Sequence, residues 1–351
     1  MMITNIEKAF YEMARKDDIK RGNADLEEYF FTYYSQKLTL FNHIYSHMET
    51  ELRDYPDHSS GHVNRIMGIL GKMLKKHVLY LDPLYLDQSR DYEMFSPQKR
   101  EIFNFFEVYL LLCATILHDI GNIMARERHE ERIKQVVEKV ELFFVDEDVK
   151  KYALWIAQAH RGENSISSIV PSNVDYRNEE INLRFLAAVL KLADELEEGE
   201  VRIDKIYYET RKTKISEDKK LHWNISRCIK RINPKPDAHI IDIRAEMQDE
   251  NTCFATYPKK IGESIRSVAL IDELISRIDK INETRKYYMQ FITKYIPFDS
   301  IDFKLKIGQT SPSYSLTFDN TNGYHAFWNI YPHLNPAGRI KDYELQLEEQ
   351  Q

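Results

Sequence analysis

Helical periodicity over residues 1–205 is the feature that most limits how this chain can fold. Apolar residues recur there at three- and four-residue spacing, and glycine and proline are sparse. This spacing places apolar side chains on one face of a helix. The segments that show it are EEYFFTYYSQKLTLFNHIYSHME, VNRIMGILGKMLKKHVLYL, PQKREIFNFFEVYLLLCATILHDIG, RHEERIKQVVEKVELFF, DEDVKKYALWIAQAHRG and NEEINLRFLAAVLKLADELEEGE. These segments, with short connections between them, predict an all-α bundle. In the third segment, Pro97 suits a helix start and Gly121 its end.

The pattern changes near residue 201. Alternating, β-branched and aromatic segments follow, and one long helix is predicted among them over residues 261–296. We therefore predict a mainly α chain, with a helical domain over residues 1–205 and an α+β C-terminal region over residues 206–351. The final polar stretch, 341–351, is expected to fray. The predicted strands are RIDKIYYETRKTKI, LHWNISRCIKRI, AHIIDIRAEM, DFKLKIG and SYSLTFDN.

Charge and cysteine content exclude some functions. The formal net charge is −7, so a broad basic field for long nucleic acid is disfavoured. The three cysteines are widely spaced, and this fits a reducing compartment. The N-terminus has no apolar stretch like a signal peptide, and no run of 18 apolar residues occurs. A cytoplasmic protein with no membrane association is expected.

Histidines and carboxylates on separate predicted helices suggest a metal site. His62 begins one helix, His118 and Asp119 end another, and Asp194 lies within a third. A mixed nitrogen and oxygen set of this kind suits Mn, Fe, Mg or Zn. Asp194 is flanked by leucine and alanine, and an unpaired carboxylate on an apolar face is costly. Metal binding would remove that cost; the alternative is a pair with an arginine such as Arg184, or capping of a neighbouring helix.

Taken together, the order His62, His118–Asp119, Asp194 resembles the HD superfamily of metal-dependent phosphohydrolases. The stretches HVNRI, ILHDIGN and LKLADELEEGEVR are similar to its motifs, which here span residues 58–202. The resemblance implies a helical HD-type bundle and favours His62 over His58 as ligand, because an apolar residue follows His62 by four positions. The flanks look most like a branch found beside chaperone-like ATPase modules, although no P-loop is present here.

The resemblance also implies a second set of ligands. His129 and His160 stand where related proteins bind a second metal ion or the substrate phosphate, with Asp119 as the expected bridge. One or two divalent ions per site are therefore expected, and we predict catalytic roles for Asp119, His129, His160 and Lys191. The sequence departs from HD-GYP proteins, because Arg161 follows His160 and no GYP triplet is present. Cyclic-dinucleotide hydrolysis is thereby placed in doubt.

Basic residues near these motifs are candidates for binding phosphate. Arg65 lies one helical turn after His62, Lys191 lies one turn before Asp194, and Arg161 follows His160. Glu130 is a candidate proton acceptor or partner of His129. The predicted activity is hydrolysis of a phosphoester or phosphoanhydride in a nucleotide-type substrate. The alternative is a binding or regulatory module whose 206–351 region engages a protein partner or a ligand, or forms a homo-oligomer.

Overall fold

A computed structural model describes residues 4–21, 26–51, 57, 59–74, 103–161, 165–261, 264–292, 296–309 and 313–336. The mainly α prediction is confirmed, because most of the regular structure in these ranges is helical. His58, Pro97 and the 341–351 tail lie outside the described residues. The chain divides into two units: residues 1–53, 58–197 and 288–297 form the first, and residues 54–57, 198–287 and 298–351 form the second.

Helices dominate the first unit. They are α1 Asn5–Arg21, α2 Leu26–Leu40, a π-helix Phe41–Tyr45, α3 Ser46–Glu51, α4 Ser60–Met73, α5 Phe105–Leu117, a 3-10 turn Ile120–Ile123, α6 His129–Lys139, α7 Glu147–Gln158, α8 Ser165–Ile169 and α9 Leu183–Leu196. An antiparallel hairpin, β1 Asn173–Tyr176 and β2 Glu179–Asn182, precedes α9. The prediction of a purely α segment here was therefore wrong, because the turn at Arg177–Asn178 takes left-handed φ angles of 51° and 65° that end any helix.

Helix α5 lies at the centre of the first unit. All of its residues are buried, and it contacts α1, α2, α4, α7 and α9. A capping box fixes its start. The Asn104 side chain accepts a hydrogen bond from the Glu107 N–H at 2.9 Å, and the Glu107 carboxylate accepts one from the Asn104 N–H at 3.2 Å. The helix therefore begins at Phe105.

One stretch in the described part of the chain has the length and apolar composition of a membrane span. It runs over Phe105–Ile123, and 89% of its 18-residue window is buried within the protein. This is the burial expected of a core helix, since α5 is surrounded by five other helices.

The second unit mixes short helices with strands. Its helical elements are a 3-10 turn Glu200–Arg202, α10 Lys205–Arg211, α11 Glu217–Cys228, a 3-10 turn Pro236–Ala238, α12 Glu250–Phe254, α13 Leu270–Ile292, α14 Tyr324–Ile330 and a 3-10 turn Pro332–Leu334. The strands are β3 Ile229–Lys235, β4 Ile240–Met247, β5 Thr256–Ile261, β6 Ser264–Ala269, β7 Ser300–Ile307 and β8 Tyr314–Phe318. From residue 288 onward, α13 belongs to the first unit.

A four-stranded sheet organises the second unit. Its order is β3-β4-β7-β8, with β4 and β7 parallel and the outer pairs antiparallel. Alternate residues of β4 and β7 are buried, so one face of the sheet is apolar. Strands β5 and β6 form a separate two-stranded hairpin.

One predicted strand was wrong, and a second was correct only over its last four residues. Residues 202–215 contain helix α10, and residues 221–232 continue α11 to Cys228 before β3 begins. The Asp204 side chain accepts a hydrogen bond from the Tyr207 N–H at 2.9 Å and so starts α10. A small buried cluster of Ile203, Tyr208, Ile215 and Trp223 then holds this region together. The long predicted helix also begins later, at Leu270, because residues 264–269 form strand β6.

Candidate metal centre

Helix α4 supplies the first histidine. The Ser59 side chain caps the helix by accepting a hydrogen bond from the Gly61 N–H at 3.0 Å, so α4 starts two residues before His62. His62 is buried, at 2% exposure. Arg65 follows one turn later on the same helix face.

Helix α5 ends at the next pair of ligand candidates. His118 is its C-terminal cap and is fully buried, and Asp119 lies in the turn that follows, at 5% exposure. The His118 Nδ1 lies 2.8 Å from the Thr115 carbonyl oxygen. The apolar helix thus delivers two polar side chains into the interior at its C-terminal end.

Three of the predicted ligands form a first cluster. The Nε2 atoms of His62 and His118 lie 3.3 Å apart. Asp194 Oδ1 lies 3.5 Å from the first of these nitrogens and 3.8 Å from the second. A divalent ion about 2.0–2.2 Å from each of these atoms fits such a triangle.

The remaining predicted ligands form a second cluster. His129 Nε2 lies 3.0 Å from Asp119 Oδ1 and 3.0 Å from His160 Nε2. His160 Nε2 lies 3.9 Å from the same carboxylate oxygen. The other oxygen, Asp119 Oδ2, lies 3.5 Å from His62 Nε2. Asp119 therefore faces both clusters, one oxygen to each, as a bridging ligand would.

The outer nitrogens of His62, His118 and His160 face hydrogen-bond acceptors, whereas His129 Nδ1 faces both a carbonyl oxygen and the Arg161 guanidinium. Besides the contact of His118, the Nδ1 atoms of His160 and His129 lie 2.6 Å from the Ala157 carbonyl and 3.1 Å from the Arg126 carbonyl. The Nδ1 of His62 lies 2.7 Å from Glu197 Oε2. A proton on Nδ1 leaves the Nε2 lone pair available, which is the usual arrangement of metal-binding histidines. This chemistry of the donor set fits a divalent metal centre.

A close approach of two chain segments brings the clusters together. The 3-10 turn Ile120–Ile123 packs against the start of α6. A Cβ atom on Gly121 would lie 1.9 Å from the His129 carbonyl oxygen, so only glycine allows this contact. Arg128, directly before His129, adopts a left-handed φ of 54°, which is uncommon for a residue other than glycine.

Burial and neighbouring charges affect the protonation of the second cluster. Burial and the nearby His118 hold the pKa of His160 well below its ordinary value. Burial also lowers the pKa of His129, but the hydrogen bond to Asp119, the charge of that carboxylate and the Arg126 carbonyl together leave this pKa raised. His160 is therefore held in the neutral form that binds metals.

The three predicted phosphate-binding residues lie in different settings. Lys191 is largely but not fully buried, with 12% of its side chain exposed, and its Nζ lies 2.9 Å from Glu195 Oε1. Although burial lowers its pKa, Glu195 and Asp194 raise it above the ordinary value, so the amine stays charged. Arg161 is half exposed and its Nη1 lies 2.9 Å from His129 Nδ1.

The third of these residues, Arg65, lies beside the first cluster. Its Nε donates a hydrogen bond to Glu197 Oε1, and a quarter of its side chain is exposed. Glu130 Oε2 lies 3.9 Å from His129 Nδ1 and 3.7 Å from Arg161, so it is a neighbour of the second cluster rather than a member.

Arg184 does not pair with Asp194. Its Nε donates a hydrogen bond to the Val170 carbonyl at 2.8 Å, and its Nη2 lies 3.3 Å from the Ser167 carbonyl. The carboxylate of Asp194 instead faces the two histidines of the first cluster. The cost of placing it on an apolar helix is thus offset at that cluster.

Two residues near the site were not predicted. Glu197 contacts His62, and its position three residues after Asp194 in the acidic ADELEEGE stretch was the available signal. Tyr45 is fully buried, and its hydroxyl donates to the Ile116 carbonyl at 3.1 Å. Burial and the carboxylates of Asp119 and Asp194 hold the pKa of Tyr45 well above its ordinary value. Nothing in its local sequence indicated a place beside the site.

Comparison with known families agrees with this geometry. The HD-CE family model matches residues 52–266, more than half of the chain, and the protein therefore belongs to the HD-CE family. This is an HD-type domain, a class that suggests a metal-dependent hydrolase. Neither the curated proteins nor the solved structures yield a match.

Proposed function

We propose that the protein is a metal-dependent phosphohydrolase that cleaves a phosphoester or phosphoanhydride of a nucleotide-type substrate within an HD-type helical bundle. The observation that supports this best is the pair of three-ligand clusters, His62–His118–Asp194 and Asp119–His129–His160, whose ligand atoms lie within 4.8 Å of one another in each cluster. The position of Asp119, which has one oxygen 3.0 Å from His129 Nε2 and the other 3.5 Å from His62 Nε2, is compatible with a site that holds two ions.

The donor set favours a transition metal. Four imidazoles and two carboxylates suit Mn, Fe or Zn better than Mg, which prefers oxygen ligands. When bound, such an ion acidifies water and offsets the negative charge on a phosphoryl group. Hydrolysis then joins a water oxygen to phosphorus and breaks the bond to the leaving oxygen, and a proton is released.

The surrounding residues have separate roles in this proposal. The histidines hold their ligand nitrogens inward through their Nδ1 contacts. The charged amine of Lys191, next to Asp194 in space and one turn before it in sequence, and the guanidinium groups of Arg65 and Arg161 hold phosphate oxygens. Glu130, beside His129, accepts a proton. The nucleotide class is supported by the motif resemblance and by these three cations.

A product assay tests the proposal. The full chain, supplied in turn with Mn, Fe, Zn or Mg, is incubated with dNTPs, NTPs, alarmones, cyclic dinucleotides and short single-stranded DNA in ¹⁸O-labelled water. We expect one class to be cleaved with ¹⁸O in the phosphate product, and Asp119→Ala to abolish cleavage. His47→Ala, at an exposed histidine of α3, should keep activity. A metal-loaded protein that cleaves none of these substrates would overturn the proposal.

A second candidate role is binding of a protein partner, or self-association, through residues 206–351. Large apolar side chains are exposed there, among them Ile206 at 79%, Ile265 at 73% and Ile330 at 54%. Light scattering on the full chain and on the variant Ile265→Asp tests self-association. A mass that exceeds one chain and falls to one chain in the variant supports it. A single-chain mass in both proteins rules out self-association.

A further inference from the structure

Both ring nitrogens of His62 face carboxylates that come from the end of one helix. Asp194 Oδ1 lies 3.5 Å from Nε2, on the inner side of the ring. Glu197 Oε2 lies 2.7 Å from Nδ1, on the outer side. Helix α9 ends at Leu196, and the Glu197 N–H donates to the Asp194 carbonyl at 3.0 Å, so the two acids share one rigid turn.

The carboxylate of Glu197 also contacts a second basic side chain. Its Oε1 accepts a hydrogen bond from Arg65 Nε, and only 1% of the Glu197 side chain is exposed. A carboxylate accepts hydrogen bonds at both oxygens, whereas an amide has one accepting oxygen and one donating nitrogen. Burial makes the loss of either contact costly, because an unpaired buried charge is strongly unfavourable.

We propose that Glu197 is a positioning residue for the first cluster and for Arg65. By accepting a hydrogen bond from the Nδ1–H group it fixes the tautomer and ring orientation of His62, so that Nε2 offers its lone pair to an ion. With its other oxygen it sets the position of Arg65 relative to that ion. This inference rests on the proposed function, since it concerns the same metal centre.

The substitution Glu197→Gln separates the two contacts. Because His62 and Arg65 contact different oxygens of Glu197, the single accepting oxygen of glutamine can replace only one of the two contacts in this geometry. We expect the affinity of the first cluster for Zn²⁺ to fall about 10–100-fold, the usual effect of losing an outer partner of a ligand. The second cluster should keep its affinity. In Glu197→Gln/Arg65→Ala the amide oxygen is released to His62, and most of the lost affinity should return.

Calorimetric titration of the metal-stripped full chain with Zn²⁺ gives both affinities. Nitrogen NMR of the imidazoles reports the His62 tautomer even without metal; we expect Nδ1–H in the wild type and a mixed state in Glu197→Gln. Glu200→Gln, an acid-to-amide change in the same acidic stretch, is the matched control and should change neither. Thermal melting verifies that each variant is folded.

Two results would overturn the inference: a Glu197→Gln protein with wild-type Zn²⁺ affinities and an unchanged His62 tautomer, or one in which Arg65→Ala brings no recovery. Failure of the proposed function is a different result. In that case the wild type would bind Zn²⁺, or show the fixed tautomer, and still hydrolyse no phosphoester.

Discussion

The backbone of Gly121 lies against the carbonyl group of His129, so close that a Cβ at residue 121 would be 1.9 Å from the carbonyl oxygen. Gly121 follows Asp119 by two residues in the 3-10 turn, and His129 begins α6. This contact brings the segment that carries Asp119 close to the start of α6, where His129 Nε2 lies 3.0 Å from Asp119 Oδ1. Glycine at 121 is therefore a requirement of the site as well as of the turn.

Gly121→Ala should destabilise the protein and weaken the second cluster. Forcing extra volume into a packed site costs about 1–3 kcal/mol, and backbone atoms have little room to yield. Urea denaturation and Zn²⁺ titration measure the two effects. Gly68→Ala is the matched control, because nothing lies within 4 Å of a Cβ there and the site is in helix α4. The Gly68→Ala protein should have a free energy of unfolding about 0.5–1 kcal/mol higher than the wild type. Equal behaviour of the two variants would refute the argument.

Asp119→Asn and Asp194→Asn should differ in how many bound metal ions they affect. Asp119 faces both clusters, whereas Asp194 faces only the first. We expect Asp194→Asn to lower the affinity for one ion and Asp119→Asn to lower the affinity for both. Each loss should exceed the roughly 10–100-fold loss of affinity that is typical when an outer partner of a ligand is removed. Equilibrium dialysis followed by metal analysis gives the stoichiometry. Retention of one tightly bound ion in Asp119→Asn would argue against a shared carboxylate.

A buried ion pair in the first unit should matter for stability. Lys37 Nζ lies 2.6 Å from Glu7 Oε1, and the two side chains are 0% and 3% exposed. Lys37→Met leaves the Glu7 charge without this cation and should cost about 3–5 kcal/mol. Lys37→Met/Glu7→Gln removes the charge and keeps an acceptor for the Tyr33 hydroxyl, 2.8 Å away in the wild type. A smaller loss in the double variant, measured by urea denaturation, is the expected result; an equal or larger loss contradicts it.

Asp319 should make the second unit sensitive to acid. The backbone N–H groups of Asn322 and Thr321, together with the Thr321 hydroxyl, lower the pKa of Asp319 to about 2 from an ordinary 3.8. Its charged form therefore stabilises the folded state above pH 3.8, and this contribution is lost as the pH falls towards 2. The difference in urea midpoint between wild type and Asp319→Ala should shrink from pH 6 to pH 3. A difference that does not vary with pH would show that the charge is not responsible.

Local patterns predicted much of the helical fold. The nearly continuous apolar run over residues 105–117 predicts a buried helix, and every residue of α5 is buried. The same reasoning failed where local signals conflicted. Aromatic and β-branched residues around Tyr207 and Trp223 favour strands, but the Asp204 cap and the packing of their rings produce helices instead. Strand propensity depends on burial, and burial is a property of the folded chain.

By itself, the sequence determined the candidate ligand residues and the helices that present them, because helix periodicity and the chemistry of histidine and aspartate are local properties. Tertiary structure alone decided how these ligands are divided. That Asp119 offers one oxygen to each cluster depends on the approach of Gly121 to His129. That Glu197 stands behind His62 depends on packing between residues 135 apart in the chain. Contacts over such separations leave no periodic signal in the sequence, because they form only when the helices are packed.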